Sequence, residues 1–256
     1  MAESSESSTE SPDSARSRNW KLGVVAVVGL IGLTAWLASL PRPGDEPDED
    51  ETALVARLIE LKNRGIALLE NDTFAEADAT LAELAEALPN DPIGSQNLTV
   101  CRLLALTESS VPLKGQARDA AVKRAHEALE ALKTTNANSP VTALLSARIA
   151  MATDDETQAV SELLRATEEF SESAILWYEL HSVLQYSDDE AKQKIARSAL
   201  ARTAELKPEN LFIAKDWLLV QAQAKDPAIV DTFRTMTPLI KPFVETIRQY
   251  TGKDLT

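Results

Sequence analysis

The sequence predicts an all-α protein, with one transmembrane helix near the N-terminus followed by a long run of antiparallel helix pairs. Three observations lead there. The 256 residues include only 8 glycines and 5% aromatics, and the abundance of Ala, Leu and Glu feeds helices rather than a β-rich core. Leu22–Leu40 is a run of 19 residues without a charge. From Ala53 onward a packing slot held in turn by Gly65, Cys101, Ala147, His181 and Leu218 recurs at spacings of 36, 46, 34 and 37 residues. Unrelated amphipathic helices would not keep step in this way.

Charge and cysteine content narrow the function classes. The net charge is −14, unevenly placed: residues 53–190 hold 23 acidic and 11 basic side chains, whereas residues 191–256 hold 7 acidic and 11 basic. An acidic chain lacks the basic footprint that non-specific nucleic-acid binding needs. Cys101 stands alone, which excludes a disulfide framework or a cysteine-based metal site within one chain.

Residues 1–19, rich in Ser and Glu, have almost nothing to bury and read as a disordered tail. The apolar run that follows, with Trp20-Lys21 before it and Arg42 after it, matches the ~20 residues that span a bilayer. A cleaved signal would have an h-region of about 7–15 residues and a small-residue cleavage site. Here the nearest candidate, ending at Ala38, has the bulky Trp36 in a small-residue position. Residues 20–40 are therefore read as a retained anchor. Arg16, Arg18 and Lys21 precede it, and the acids from Asp45 to Glu51 follow it. The positive-inside rule then puts the tail in the cytoplasm and the bulk of the chain outside, in the periplasm if the cell is bacterial. Residues 41–52, with three prolines and that acidic block, form an extended, self-repelling linker.

The first helix pair is written in Leu61-x-x-Arg64-Gly65-x-x-Leu68, Ala77-x-x-x-Leu81 and Pro89, with a turn at Asn71-Asp72-Thr73. Small residues sit where two helices approach, large apolar ones fill the space around them, and proline stops the second helix. A second copy reads Asn97-x-x-Val100-Cys101-x-x-Leu104 and Ala121-x-x-x-Ala125, with an enlarged loop from Glu108 to Gly115. The third has Ala147, a turn at Asp154-Asp155, and Ala159-x-x-x-Leu163. The fourth is Trp177-x-x-Leu180-His181-x-x-Leu184, then Ala196-x-x-x-Leu200 and Pro208, with three extra residues near Ser187-Asp188-Asp189. Trp177 takes the largest side chain of the pattern and is expected to be buried. A fifth first helix, carrying Trp217-Leu218, starts after Asn210.

These residues and their spacing resemble the tetratricopeptide family over Ala53–Ala224. Arg64 stands where that family usually has leucine, and His181 and Leu218 are large for their slots. The resemblance implies a right-handed superhelical solenoid of antiparallel helix pairs over residues 53–225. Asp226-Pro227 then opens a C-terminal segment, 226–256, as an N-cap and first-turn proline. One apolar stripe (Ile229, Val230, Phe233, Met236) and, beyond Pro238 and Pro242, a second (Phe243, Val244, Ile247, Tyr250) predict helices that cap the uncovered last repeat.

No catalytic site is expected, nor any cofactor or metal site. His126 and His181 lie on different repeats, and His181 occupies a packing slot. Cys101 fills another slot and lacks an activating base. There is no phosphate-cradling Gly-rich loop, Gly-x-Ser-x-Gly or His-Glu-x-x-His. Asp154-Asp155 and Asp188-Asp189 read as turn formers. Asn71-Asp72-Thr73 and Asn97-Leu98-Thr99 match the N-glycosylation triplet, which matters only in a eukaryotic secretory pathway.

Binding is the expected role. The resemblance implies that the fifth and ninth positions of each repeat face a concave groove, here Lys62 and Ile66, Leu98 and Arg102, Leu144 and Arg148, Tyr178 and Ser182, Lys215 and Leu219. None of the ten is acidic, so a basic strip formed by Lys62, Arg102, Arg148 and Lys215 would face an extended peptide with acidic side chains. The family's carboxylate clamp is absent, since Ile66 stands where its asparagine would be. The expected function is a membrane-anchored, non-enzymatic scaffold that recruits a protein or peptide partner outside the cytoplasm. The alternative is the N-terminal module of a larger periplasmic or secreted protein whose active part lies elsewhere.

Overall fold

The computed structural model describes residues 49–108 and 112–251. The expected tail, the anchor and all but the end of the linker lie outside the described residues. Among the described residues, no helix is long and apolar enough to cross a membrane.

Every regular element among the described residues is a helix. They are α1 (Glu49–Glu70), α2 (Phe74–Ala87), α3 (Pro92–Thr107), α4 (Gln116–Asn136), α5 (Pro140–Ala152), α6 (Glu156–Glu169), α7 (Ala174–Leu184), α8 (Glu190–Leu206), α9 (Leu211–Ala224) and α10 (Ile229–Thr251). The chain divides into two compact units between Leu145 and Ser146, inside α5. In the first unit α1 packs on α2, α2 on α3 and α3 on α4. In the second, α6 packs on α7, α7 on α8, α8 on α9 and α9 on α10. Both units are thus built from helices that pack on their neighbours in chain order.

The second-helix slots fall where the pattern puts them. Ala77 and Leu81, Ala121 and Ala125, Ala159 and Leu163, and Ala196 and Leu200 are all buried. Alanine keeps the helices close, and the residue one turn later fills the gap beside it. Of the first-helix slots, Gly65, Cys101, Ala147 and His181 are buried and Leu218 is half-buried. At Gly65 the reason is steric, because an added Cβ would overlap the Leu81 side chain, 2.7 Å from its Cγ. Gly94, which the repeat pattern did not single out, is tighter in kind: a Cβ there would lie 2.6 Å from the Cα of Ala85, which is backbone and cannot turn away.

One turn recurs. Asp72, Asp154 and Lys225 each end a first helix with positive φ (58°, 64° and 54°). In each case the next residue's N–H donates five residues back: Thr73 to Leu68 at 3.0 Å, Asp155 to Ala150 at 2.9 Å, Asp226 to Gln221 at 2.9 Å. This Schellman closure satisfies carbonyls that the helix end would otherwise leave without donors. The acid pairs do the work expected of turn formers, since Asp155 accepts from the N–H of Gln158 at 2.9 Å and Asp189 from that of Ala191 at 2.8 Å.

The structure corrects four expectations. The linker was expected to extend to residue 52, but α1 begins at Glu49, because acids in a first turn complement the helix dipole. Trp177 is half-buried rather than buried. Its indole N–H donates to the Ser171 carbonyl at 2.8 Å, while Leu176 and Leu180 fill the space inside. Pro238 and Pro242 do not separate two helices: α10 runs through both, each proline giving up one helical N–H while its fixed φ suits the helix. Of the expected first stripe, Met236 is buried but Val230 and Phe233 are exposed. Asn97 is buried, with its amide donating to the Ile93 carbonyl at 2.8 Å, so of the two glycosylation triplets only Asn71 is at the surface.

Candidate functional site

The ten positions assigned to a groove have four different fates. Leu98 and Leu144 belong to the core. Both stand in stretches buried on every side, 94–101 and 141–147, and a helix segment buried all round has no face to offer a ligand.

Arg102 and Arg148 are held by the protein itself. In the first unit, the Nε of Arg102 donates to Asp78 on α2 at 2.7 Å, and its Nη1 donates to the Arg124 carbonyl on α4 at 3.0 Å. In the second, Arg148 makes a two-pronged bond to Glu179 on α7, at 2.9 and 2.6 Å. The Arg148 and Glu179 side chains are only 11% and 13% exposed, against 18% and 26% for Arg102 and Asp78. The expected basic strip is therefore neutralised at its two arginines by acids that are adjacent in space but were not among the ten positions.

Tyr178 and Ser182 on α7 are half-buried. The Tyr178 hydroxyl lies 3.3 Å from Asp216 on α9, and Ser182 donates back to the Tyr178 carbonyl at 2.9 Å. The Tyr178 ring also lies 6.1 Å from that of His181. His181 is buried and bonds the Ala196 carbonyl through Nδ1 at 3.0 Å. Burial holds its pKa below the usual imidazole value, with the Ala196 bond and Asp216 pulling the other way. Cys101 is just as inert. Burial, with Asp78 adding to it, pushes its pKa up to about 12 against the pull of Arg102 and Arg124, and its thiol lies 3.8 Å from the Phe74 carbonyl. No thiolate is on hand for nucleophilic chemistry.

The remaining four offer surface. Lys62 and Ile66 on α1 are half-buried. On α9 the Lys215 side chain is 62% exposed and Leu219 is 56% exposed. Phe212, which the repeat positions missed, is 75% exposed. It stands seven residues before Leu219, two turns back on the same face of α9, and that spacing was the sequence signal available. Lys215 lies between them, 3.4 Å from the Asp216 carboxylate.

No protein-family model matches the chain, and no curated protein matches it either. Similar solved structures include a MamA double mutant (MamA RS-1 ArsTM), with 15% identity, a TM-score of 0.48 and coverage of 73% of this chain and 96% of that one. A crystal structure of MamA gives 16% identity, a TM-score of 0.48 and coverage of 71% and 96%. A second MamA crystal structure gives 15%, 0.47, and 78% and 98%.

Proposed function

We propose that this protein is a membrane-anchored adaptor that binds a protein partner and has no chemistry of its own. The uncharged run Leu22–Leu40 would hold it as a single-pass protein with its repeats outside the cytoplasm, and binding there would raise the partner's local concentration at the membrane. The observation that carries the binding role is the row Phe212, Lys215, Leu219 on α9, where two large apolar side chains and a cation stand exposed on one helix face. Exposed apolar groups at helical spacing are the anchors to which amphipathic segments dock. Lys215 favours a segment with an acidic group between its apolar residues.

Affinity capture from detergent-solubilised membranes, with the full-length protein as bait, tests this reading. Phe212→Ser with Leu219→Ser should reduce recovery of a specific partner about tenfold, equivalent to about 1.4 kcal/mol. Arg102→Glu with Arg148→Glu should lower the melting temperature and leave the affinity of the molecules still folded unchanged. Equal recovery with the α9 variant would remove the proposed docking face. Release of the protein by carbonate washing would remove the anchor.

A further inference from the structure

The last helix, α10, is apolar on more of its surface than it buries. Met236 is buried against the rest of the second unit, and Ile229, Thr232, Leu239 and Ile240 around it are half-buried. Beside that side, in order round the helix, stand Phe233, Thr237, Val230, Lys241 and Arg234, within about 100° of arc. Phe233 is 59% and Val230 52% exposed. The Arg234 and Lys241 side chains are 75% and 72% exposed. Their ion pairs, to Asp231 at 3.1 Å and Glu245 at 3.9 Å, are equally open to solvent. Exposed pairs of this kind are weak, so both cations stay available to another anion.

An apolar edge bordered by a row of bases, on a helix too polar to cross a bilayer, is the pattern of a helix that lies in a lipid headgroup layer. Charge decides among the possible occupants. A second copy laid antiparallel on this face would set the row of Arg234 and Lys241 against itself. An anionic bilayer meets no such penalty. It attracts residues 191–256, with 11 basic and 7 acidic side chains, and repels residues 53–190, with 11 basic and 23 acidic. It is also close at hand, an argument that rests on the anchor proposed above. Because α1 begins at Glu49, only residues 41–48 separate it from the anchor, a reach of at most about 30 Å. A tether that short makes even a weak contact count.

We propose that α10 lies on the bilayer that holds the anchor, with Val230 and Phe233 entering the headgroup layer and Arg234 and Lys241 meeting the phosphates of anionic lipids. The protein then touches the membrane twice, once through its N-terminal segment and once through its last helix.

The test reconstitutes the full-length protein into vesicles of phosphatidylcholine, alone or with about one quarter phosphatidylglycerol. An environment-sensitive NBD dye is attached through Thr237→Cys on the proposed contact face, or through Thr235→Cys on the solvent side. Cys101 is buried, with its thiol pKa pushed up to about 12, and does not compete for the dye. At position 237 the dye should be at least about twofold brighter in the anionic vesicles, and added salt should reverse the gain. At position 235 it should not change. Arg234→Glu with Lys241→Glu, both at exposed positions, should remove the gain and leave the melting temperature unaltered. Equal brightness in the two lipids, or a gain that survives the double reversal, would overturn the proposal. So would brightness that follows protein density rather than lipid charge, which would mean that a second copy covers the face. No brightening in any vesicle would leave the face to a protein partner and equally overturn it. Failure to float with pure phosphatidylcholine vesicles would instead remove the anchor, and brightening on addition to preformed anionic vesicles would still report on α10.

Discussion

Arg102 in the first unit and Arg148 in the second hold the same place in their repeats, one residue after the packing slot, yet they turn in opposite directions. Arg102 reaches back to Asp78 on the preceding second helix, whereas Arg148 reaches forward to Glu179 on the next first helix. The sequence explains the difference once the neighbours are aligned. Asp78 follows Ala77, and the residue that follows the matching Ala121 is Val122, which offers no carboxylate behind Arg148. Glu179 follows Tyr178, and the residue that follows the matching Leu144 is Leu145, which offers none in front of Arg102. A repeat position therefore specifies which face of a helix a side chain leaves from, and the charge of the adjoining repeat decides where it ends.

The widest separation between the units should appear when these pairs are broken. Arg148→Ala strands the nearly buried Glu179 carboxylate, and loss of one partner of a buried pair costs about 3–5 kcal/mol. Arg102→Ala leaves the better-solvated Asp78, and loss of its charged hydrogen bonds should cost about 1.5–3 kcal/mol. Urea unfolding of both variants measures the two. Equal costs would mean that direction and burial make no difference to what the arginine contributes.

The two units also fill their close contacts differently. The first uses glycine at 65 and 94, where the second has His181 and, seven residues before it, Ala174. Gly94→Ala should destabilise by about 1–3 kcal/mol through overpacking, because the obstruction is the Ala85 backbone. Gly65→Ala meets only the Leu81 side chain, so Leu81→Ala should relieve it and the pair should show non-additive unfolding energies. No side-chain change at 81 should relieve Gly94→Ala. If it did, α2 and α3 would be further apart than the structure places them.

How legible this was varies with the physics involved. The helix pairs were readable because the pairing of a small with a large residue in three of the second helices, Ala77 with Leu81, Ala159 with Leu163 and Ala196 with Leu200, is imposed by close packing within one pair and so is written locally. The fate of the groove positions was not, because Leu144 is buried by its whole neighbourhood and Arg148 is captured by a residue 31 positions away. Phe212 lies outside the repeat's groove positions, and only its seven-residue spacing from Leu219 marks it as sharing that face of α9.

The smallest expected effect uses the slot itself as a reporter. In the second unit the slot holds His181, whose pKa burial lowers from the usual 6.5. In the first unit the same slot holds Gly65 and Cys101, neither of which gains a proton on acidification. Below the unfolded value of 6.5, the unfolded chain takes up a proton at position 181 while the folded one resists it. Stability from this residue is therefore complete above that pH and is lost as pH falls toward the lowered folded value. One such group gives a slope of at most about 1.4 kcal/mol per pH unit. Native-state hydrogen exchange resolves the two units: amides of α7 and α8 should lose protection through this range, and His181→Gln should flatten the loss. Amides of α1 and α2 should respond neither to that pH step nor to the substitution. A matching response in α1 and α2 would show that the two units unfold as one.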